Sequence, residues 1–568
     1  MPGCRAIPAR RAARGLATDN VLSRQGLAAY IVHVPPGDWQ PTWFTCRQGT
    51  GGLHGLRAAR DWRPTLVPGK DNMELRWLKW TSLFFRLILI FGGLSNLATG
   101  QAQVERAELG KRLQRLELQW AQSSPAQQAA VAAPMQEAVS SFFSLRLLRA
   151  AEKLDEAWWI ARDATPSGTE RTVIGHRVHV VELLAEAASS TIPVKLVPFY
   201  TTDEALDDAA VEFSITAAPT TLPIQRPANT EQIGQTARFS WKEAIAGVAL
   251  DVSALPEGDY EVRTLVRLGD KSLELLPAGW SRIRDARARV EQVRKSWEEQ
   301  EDNLPPWIRA TIQDQLRILN ALLEGEAQEV DYPAHHQLIM CEKMLAQPES
   351  AAHLMRETAQ TRDAWLTVAE GRKKVALRLR APRPVDTTAP MPVLFLFHGA
   401  GGSENMFFET YGAGGAVAAG LQRGWLVVAT RQGLTGLSLD AKQILDSLQP
   451  IFPMDRDQVY FMGHSMGAGQ VATQVGLHPT LPRAVVAIGG GGRPRALEAA
   501  SQIPWFIAAG SLDFGKSGAK SLSQSLKRAG GQQIVYREYP DVEHMVIVQA
   551  ALPEAFDFLD KVAHPKQP

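Results

Sequence analysis

Scarcity narrows this chain before any motif does. Cysteine occurs three times in 568 residues, and Cys4 and Cys46 both precede the first strongly apolar segment. Only Cys341 lies beyond Ala102, so no disulfide can form within 103–568, and stability there has to come from buried apolar surface. A surplus of one charge sign is missing: 61 Lys and Arg stand against 60 Asp and Glu. Nucleic-acid binders carry a basic excess, so no nucleic-acid partner is expected. Past Phe91 no run approaches the roughly 20 apolar residues that crossing a bilayer needs. No fixed-period repeat runs through 103–365, which argues against a solenoid or a propeller there. Metal-ligand spacing is missing too. Cys341 stands alone and His335-His336 lack partners at ligand distance, so neither a metal nor another cofactor is expected.

What is present begins with a segment out of place. Residues 73–102 open on Met73, carry Arg76, Lys79 and Arg86 in front, and run apolar from Leu87 to Phe91. They close on the small residues Ala98-Thr99-Gly100 and Gly100-Gln101-Ala102. A basic front, an apolar middle and a small-residue end make a secretory signal peptide, cut near Gly100 or Ala102. The expected location is secreted or periplasmic, with the membrane involved only through this export signal. Residues 1–72 are rich in Arg, Gly and Pro and show no sustained period, so they read as a disordered leader. A signal peptide belongs at a chain start. Translation is therefore expected to begin at Met73, a translated basic arm being the alternative. The leader holds ten basic and four acidic residues and the signal segment three against one, which leaves about −7 of the +1 total on 103–568. The exported part is mildly acidic, and its substrate is expected to be neutral or weakly charged.

The rest divides by period. Residues 103–170 show mixed three- and four-residue apolar spacing (Leu109, Leu113, Leu116, then Phe142, Leu145, Leu148), which predicts an amphipathic helical hairpin. From 171 to 282 the period is two, as in Ile192–Tyr200, Val211–Thr216, Arg238–Trp241 and Tyr260–Val266, and predicts a small immunoglobulin-like β-sandwich. Trp241, Trp280 and Trp307 are read as core rather than as sugar platforms. Residues 283–365 return to helix as a linking region. From 366 to 568, continuous apolar strands (Val393–Phe397, Trp425–Thr430, Gln458–Met462, Ala484–Gly489, Trp505–Ala509, Ile534–Tyr539) alternate with helices. That predicts an α/β domain with a mostly parallel, doubly wound sheet.

Chemistry concentrates in this last third. Gly463-His464-Ser465-Met466-Gly467 matches G-x-S-x-G where the strand ending at Met462 meets a helix. A strand-to-helix turn that sharp needs glycine at both ends and lifts the serine hydroxyl clear of the sheet. Chance supplies roughly 0.2 such matches in a chain of this length, so the strand, elbow and helix context decides. Upstream, Val393–Phe397 runs into His398-Gly-Ala-Gly-Gly402, a turn whose N–H groups can face a developing oxyanion. Ala400, helped by Gly401, is assigned that role together with the N–H of Met466. Among the later acids, Glu498 lies in a helical stretch, Glu538 within a strand, and Asp541 and Glu543 in the loop that carries a histidine. Asp513 alone follows the end of a strand. His564 sits in the terminal tail, which leaves His544 as the base. The chain order Ser465, Asp513, His544 is that of an α/β-hydrolase triad.

On these motifs the last third resembles the α/β-hydrolase superfamily. Met454–Gly467 together with His398–Gly402 is similar to secreted esterases of the feruloyl-esterase and polyhydroxybutyrate-depolymerase type, and also to the catalytic domain of prolyl-oligopeptidase-like serine peptidases. The chain departs from the depolymerase pattern in having no pair of cysteines for a disulfide. The resemblance implies an α/β-hydrolase fold and a carboxylic ester hydrolase working through an acyl-enzyme on a small-molecule or carbohydrate-linked ester. A serine peptidase and a non-catalytic binding protein on a hydrolase scaffold are the alternatives. The intervals from Ser465 to Asp513 and on to His544 are filled by strands and helices, so no large lid is inserted there, and any covering of the site must come from residues before 366. The oligomeric state and the acyl and alcohol groups are not legible.

Overall fold

A computed structural model of the protein describes residues 100–564, apart from 203, 205, 228–230, 235, 384–388, 434 and 435. The leader and all but the last residues of the expected signal segment lie outside the described residues. The N-terminal apolar stripe folds as five helices rather than a hairpin: α1 (Gly100–Trp120), α2 (Pro125–Ala130), α3 (Ala132–Phe143), α4 (Leu147–Ala161) and α5 (Gly168–Ile174). The cuts are made by polar start signals. Ser124 and Ser167 cap α2 and α5, each in a reciprocal box with the residue three ahead, Gln127 and Glu170.

Two sheets follow. Strands β1 (His176–Val180), β3 (Thr191–Pro198) and β6 (Val248–Asp251) form one. The other has the order β2 (Leu184–Glu186), β9 (Ala278–Ile283), β7 (Gly258–Leu268), β4 (Ala210–Ala217), β5 (Ala237–Ser240), with β8 (Lys271–Glu274) paired to β7. Inward residues of both, such as Val194, Phe213, Val262 and Trp280, share one core with Leu116 of α1 and Trp159 of α4. Tyr260 donates its hydroxyl to the Pro256 carbonyl at 2.8 Å, closing the turn that enters β7. The strand expected over Arg238–Trp241 stops at Ser240, because Ser240 caps the short helix α6 (Trp241–Ala246) through the Glu243 N–H. Trp241 and Trp280 are buried and Trp307 is partly buried against the neighbouring core.

The segment expected to link the two halves is part of the larger core. Helices α7 (Ala286–Gln300), α8 (Pro306–Leu323), α9 (Ala334–Ala346) and α10 (Ala351–Thr361) bury Val290, Ile308, Leu316 and Leu338 in one cluster with Leu366 and Phe461 of the C-terminal sheet. Amphipathic spacing identified these helices but does not say what their apolar face covers.

The C-terminal sheet has eight strands: β10 (Ala364–Glu370), β11 (Lys373–Arg380), β12 (Met391–Phe397), β13 (Leu426–Thr430), β14 (Met454–His464), β15 (Ala484–Ile488), β16 (Trp505–Gly510) and β17 (Ile534–Tyr539). Their order is β10-β11-β13-β12-β14-β15-β16-β17. The pairings β10–β11 and β11–β13 are antiparallel, and the rest are parallel. Strand β10 extends the sheet beyond the reading above and straddles the boundary drawn at 366. Both faces are covered by helices: α11 (Met406–Glu409), α12 (Gly415–Gln422), α13 (Ala441–Leu448), α14 (Met466–Leu477), α15 (Leu497–Ser501), α16 (Lys516–Arg528) and α17 (Ile547–Ala563). Alternate residues of one strand therefore enter different cores: Phe395 and Phe461 one layer, Leu394 and Tyr460 the other. Parallel pairing sets the carboxyl ends of β12, β14, β16 and β17 along one edge, and the loops leaving that edge build the site.

Candidate active site

Ser465 occupies the turn between β14 and α14 with φ 58° and ψ −116°, a conformation a side chain rarely adopts. Its glycine neighbours make that turn possible. A Cβ on Gly467 would stand 1.9 Å from the Phe397 carbonyl oxygen, and one on Gly463 would stand 2.3 Å from that of Gly467. Both obstacles are backbone, so neither can swing aside. The Ser465 N–H donates to the Ile488 carbonyl at 2.8 Å, which ties the elbow to β15.

The loop after β17 and the loop after β16 meet at this serine. Ser465 Oγ lies 2.9 Å from His544 Nε2, and His544 Nδ1 lies 2.6 Å from Asp513 Oδ1. The carboxylate accepts from Nδ1–H, so Nε2 is left to accept the serine proton. Burial is the largest influence on the Asp513 pKa and would raise it, but the hydrogen bond and charge of His544 together with the Gly515 N–H outweigh it and hold the carboxyl below its ordinary range. Asp513 Oδ1 also accepts from the Gly515 N–H at 2.6 Å. The other acids of the region do different work. Glu543 is buried and accepts from the N–H groups of Met545 and Val546 at 2.8 and 2.7 Å, just ahead of α17, while Glu498 sits in α15 and Glu538 in β17.

The glycine-rich loop after β12 packs directly on Ser465: a Cβ on Gly399 would stand 3.2 Å from Ser465 Cβ. Gly402 N–H turns back onto the Gly399 carbonyl at 3.2 Å, and Gly401 takes φ +78°. Among the described residues the N–H groups of Ala400, Gly401 and Met466 have no hydrogen-bond partner. They are thus open to an oxygen placed beside Ser465.

A second line of hydrogen bonds holds this arrangement from behind, and it was not anticipated. His464 is fully buried, and burial followed by the neighbouring His544 lowers its pKa to about 3, so it is neutral. Its Nε2–H donates to the His544 carbonyl at 2.8 Å, and its Nδ1 accepts from the Tyr411 hydroxyl at 2.8 Å. The same hydroxyl accepts from the Gly399 N–H at 3.1 Å. Tyr411 thus joins the glycine loop to the histidine loop. It is carried on a left-handed turn, Tyr411, Gly412, Ala413 and Gly414, with φ of 51°, 79°, 52° and 85°. Two non-glycine residues there cost on the order of 1–2 kcal/mol each. What faces the turn's N–H groups is Glu117 of α1, whose Oε2 accepts from Ala413 N–H at 3.0 Å. Arg106, on the same helix, donates to the Gly401 carbonyl and pairs with Glu329 at 3.0 Å.

A cavity of about 140 Å³ opens at Ser465. One side is the glycine loop with Met406 and Tyr411, and the other is helices α1, α3 and α4. The covering expected from residues before 366 is in place, supplied by the N-terminal helices. Outside the cavity, Phe514 lays its ring on His544 with centroids 3.8 Å apart while remaining 55% exposed.

The strand order, the two antiparallel first pairings and the elbow at the end of β14 define an α/β-hydrolase fold for the C-terminal sheet. Among solved structures, a ferulic acid esterase is similar over 36% of this chain and 99% of its own, at 16% identity and a TM-score of 0.32. An S-formylglutathione hydrolase from Staphylococcus aureus is similar over 35% and 98%, at 15% identity and 0.29. A thermostable esterase is similar over 68% and 99%, at 14% identity and 0.33. No protein-family profile matches the chain, and no curated protein does.

Proposed function

We propose that the protein is an exported serine hydrolase that cleaves carboxylic esters. The observation that carries this is the unbroken line from Ser465 through His544 to Asp513, beside N–H groups that have no other partner. Ser465 Oγ attacks the ester carbonyl as His544 Nε2 takes its proton. The new oxyanion is received by the N–H groups of Ala400 and Met466, with Gly401 adjacent. His544 returns the proton to the departing alcohol oxygen, leaving an acyl-enzyme on Ser465. Water, deprotonated by the same nitrogen, then releases the acid. Asp513 orients the imidazole and balances the charge it gains. Acyl nitrophenyl esters of graded chain length are the first substrates to try.

The test pairs acyl nitrophenyl esters with a dipeptidyl nitroanilide. Ester turnover that falls by about 10³-fold or more in Ser465→Ala, with fluorophosphonate labelling at Ser465, is the expected result. Preference for the nitroanilide would make the protein a serine peptidase. No turnover of either and no labelling would make it a binding protein. Export rests on 73–102, and the amino terminus of the native protein is expected between residues 100 and 103; native peptides from 1–72 would overturn it.

A further inference from the structure

Resting on the ester-hydrolase reading, we propose that the site selects esters of short, neutral, apolar acyl groups of about four to six carbons. Stereochemistry divides the site. His544 Nε2 has to reach the leaving oxygen, so the alcohol lies on the histidine side of Ser465. On that side Phe514, more than half exposed, lies over the buried His544 and packs edge-on against Phe143 of α3. The acyl substituent enters the 140 Å³ cavity, which begins at Ser465 between the glycine loop and His544 and runs to the N-terminal helices.

That cavity is apolar and of definite size. Leu109 and Leu113 of α1, Met135 and Ala138 of α3, and Leu154 of α4 form its far wall. The charged groups at its edge are already compensated: Arg106 by Glu329 at 3.0 Å, and Glu409 by Arg378 at 2.7 Å. A charged acyl group would lose its water and meet no uncompensated charged side chain among the described lining residues. An apolar cavity of about 150 Å³ holds a benzene-sized guest, so roughly six carbons fill this one. The wall that measures the acyl chain belongs to the N-terminal helices, not to the hydrolase sheet.

The experiment measures kcat/KM for nitrophenyl esters from acetate to dodecanoate, with succinate as the charged member, on the full protein and two variants. The expected profile peaks between butanoate and hexanoate and falls at least tenfold by decanoate, with succinate at least tenfold below butanoate. Ala138→Leu, which fills the cavity, is expected to move the peak to acetate. Leu113→Ala, which enlarges it, is expected to move the peak to octanoate or beyond. A flat profile, one that climbs to dodecanoate, or peaks unmoved in both variants overturns the proposal. Fluorophosphonate labelling of Ser465 is followed in every sample: labelling with a flat profile sinks the acyl cavity alone, whereas failure to label the unaltered protein sinks the hydrolase reading beneath it. A variant that unfolds is identified by lost labelling, and the other variant then decides.

Discussion

Glu117 offers a test of how the N-terminal helices bind the site. Its side chain is fully buried, one oxygen accepts from Ala413 N–H, and the other has no partner among the described residues. Burial pushes its pKa up from 4.5 to about 8, against the opposing pull of the turn's N–H groups. The sign follows from linkage. An acid whose folded pKa is raised keeps its proton in the native state where the unfolded chain has released it, so the folded state binds more protons and stability falls as pH rises. The loss begins near pH 4.5 and is complete near pH 8. A shift of that size corresponds to about 5 kcal/mol between the two limits, at 1.36 kcal/mol per pH unit. Glu117→Gln keeps the acceptor for Ala413 N–H and removes the titration. In urea unfolding followed by tryptophan fluorescence at pH 5, 6, 7, 8 and 9, the unaltered protein is expected to lose stability relative to this variant by several kcal/mol, with the variant the more stable by pH 8. Parallel curves for the two proteins across that range would refute the reasoning. Glu117→Ala removes the same titration but strands a buried donor and opens a cavity, so its curve is expected to run parallel to that of Glu117→Gln and about 2–4 kcal/mol below it at every pH.

Tyr411→Phe removes a hydroxyl that serves both Gly399 N–H and His464, so two buried groups lose a partner; about 1–3 kcal/mol of stability should go. Steady-state kinetics should show kcat down by about tenfold with KM little changed, because the line it supports ends on the His544 backbone; a rise in KM alone would contradict that. The elbow gives a paired prediction. Gly467→Ala places a methyl 1.9 Å from a backbone oxygen and should abolish soluble expression or labelling, whereas Gly469→Ala meets Gly491 O at 3.3 Å and should cost about 1 kcal/mol, read from the shift in urea midpoint.

The parts of this molecule that were legible in sequence are those governed by neighbouring residues. Gly463, Ser465 and Gly467 act within one turn, and strand, elbow and helix can be read from local period alone. Asp513 and His544 lie far from Ser465 in sequence, but chain order in this architecture places them at the ends of successive strands, and the structure sets them 2.6 and 2.9 Å apart along one line. Glu117 and Arg106 had no such signal. Each reaches across about 295 residues, to Ala413 and Gly401, and both look like ordinary charges on an amphipathic helix until the fold is known. Tyr411 was hidden differently. Its left-handed turn includes two non-glycine residues, and composition does not announce a strained backbone that a distant carboxyl holds in place.

The same long-range bonds bear on what counts as the functional unit. Arg106, Gly110, Leu113 and Glu117 recur at the three- and four-residue spacing of one helix face, and that face of α1 lies on the hydrolase loops. Arg106 holds the Gly401 carbonyl, Gln114 donates to the Glu409 carbonyl at 2.8 Å, Glu117 receives Ala413, and Gln549 of α17 donates to the Glu117 carbonyl at 3.0 Å. Leu109 and Leu113, between these anchors, face the cavity at Ser465. One helix therefore steadies the glycine loop, supports the turn that carries Tyr411 and closes the apolar side of the site. A hydrolase sheet can position a serine, a histidine and an aspartate from its own strand ends, but here the geometry around them is completed by a segment more than two hundred residues earlier in the chain. Residues 366–568 hold Ser465, His544 and Asp513, while part of the cavity wall and the polar anchors of the loops come from α1.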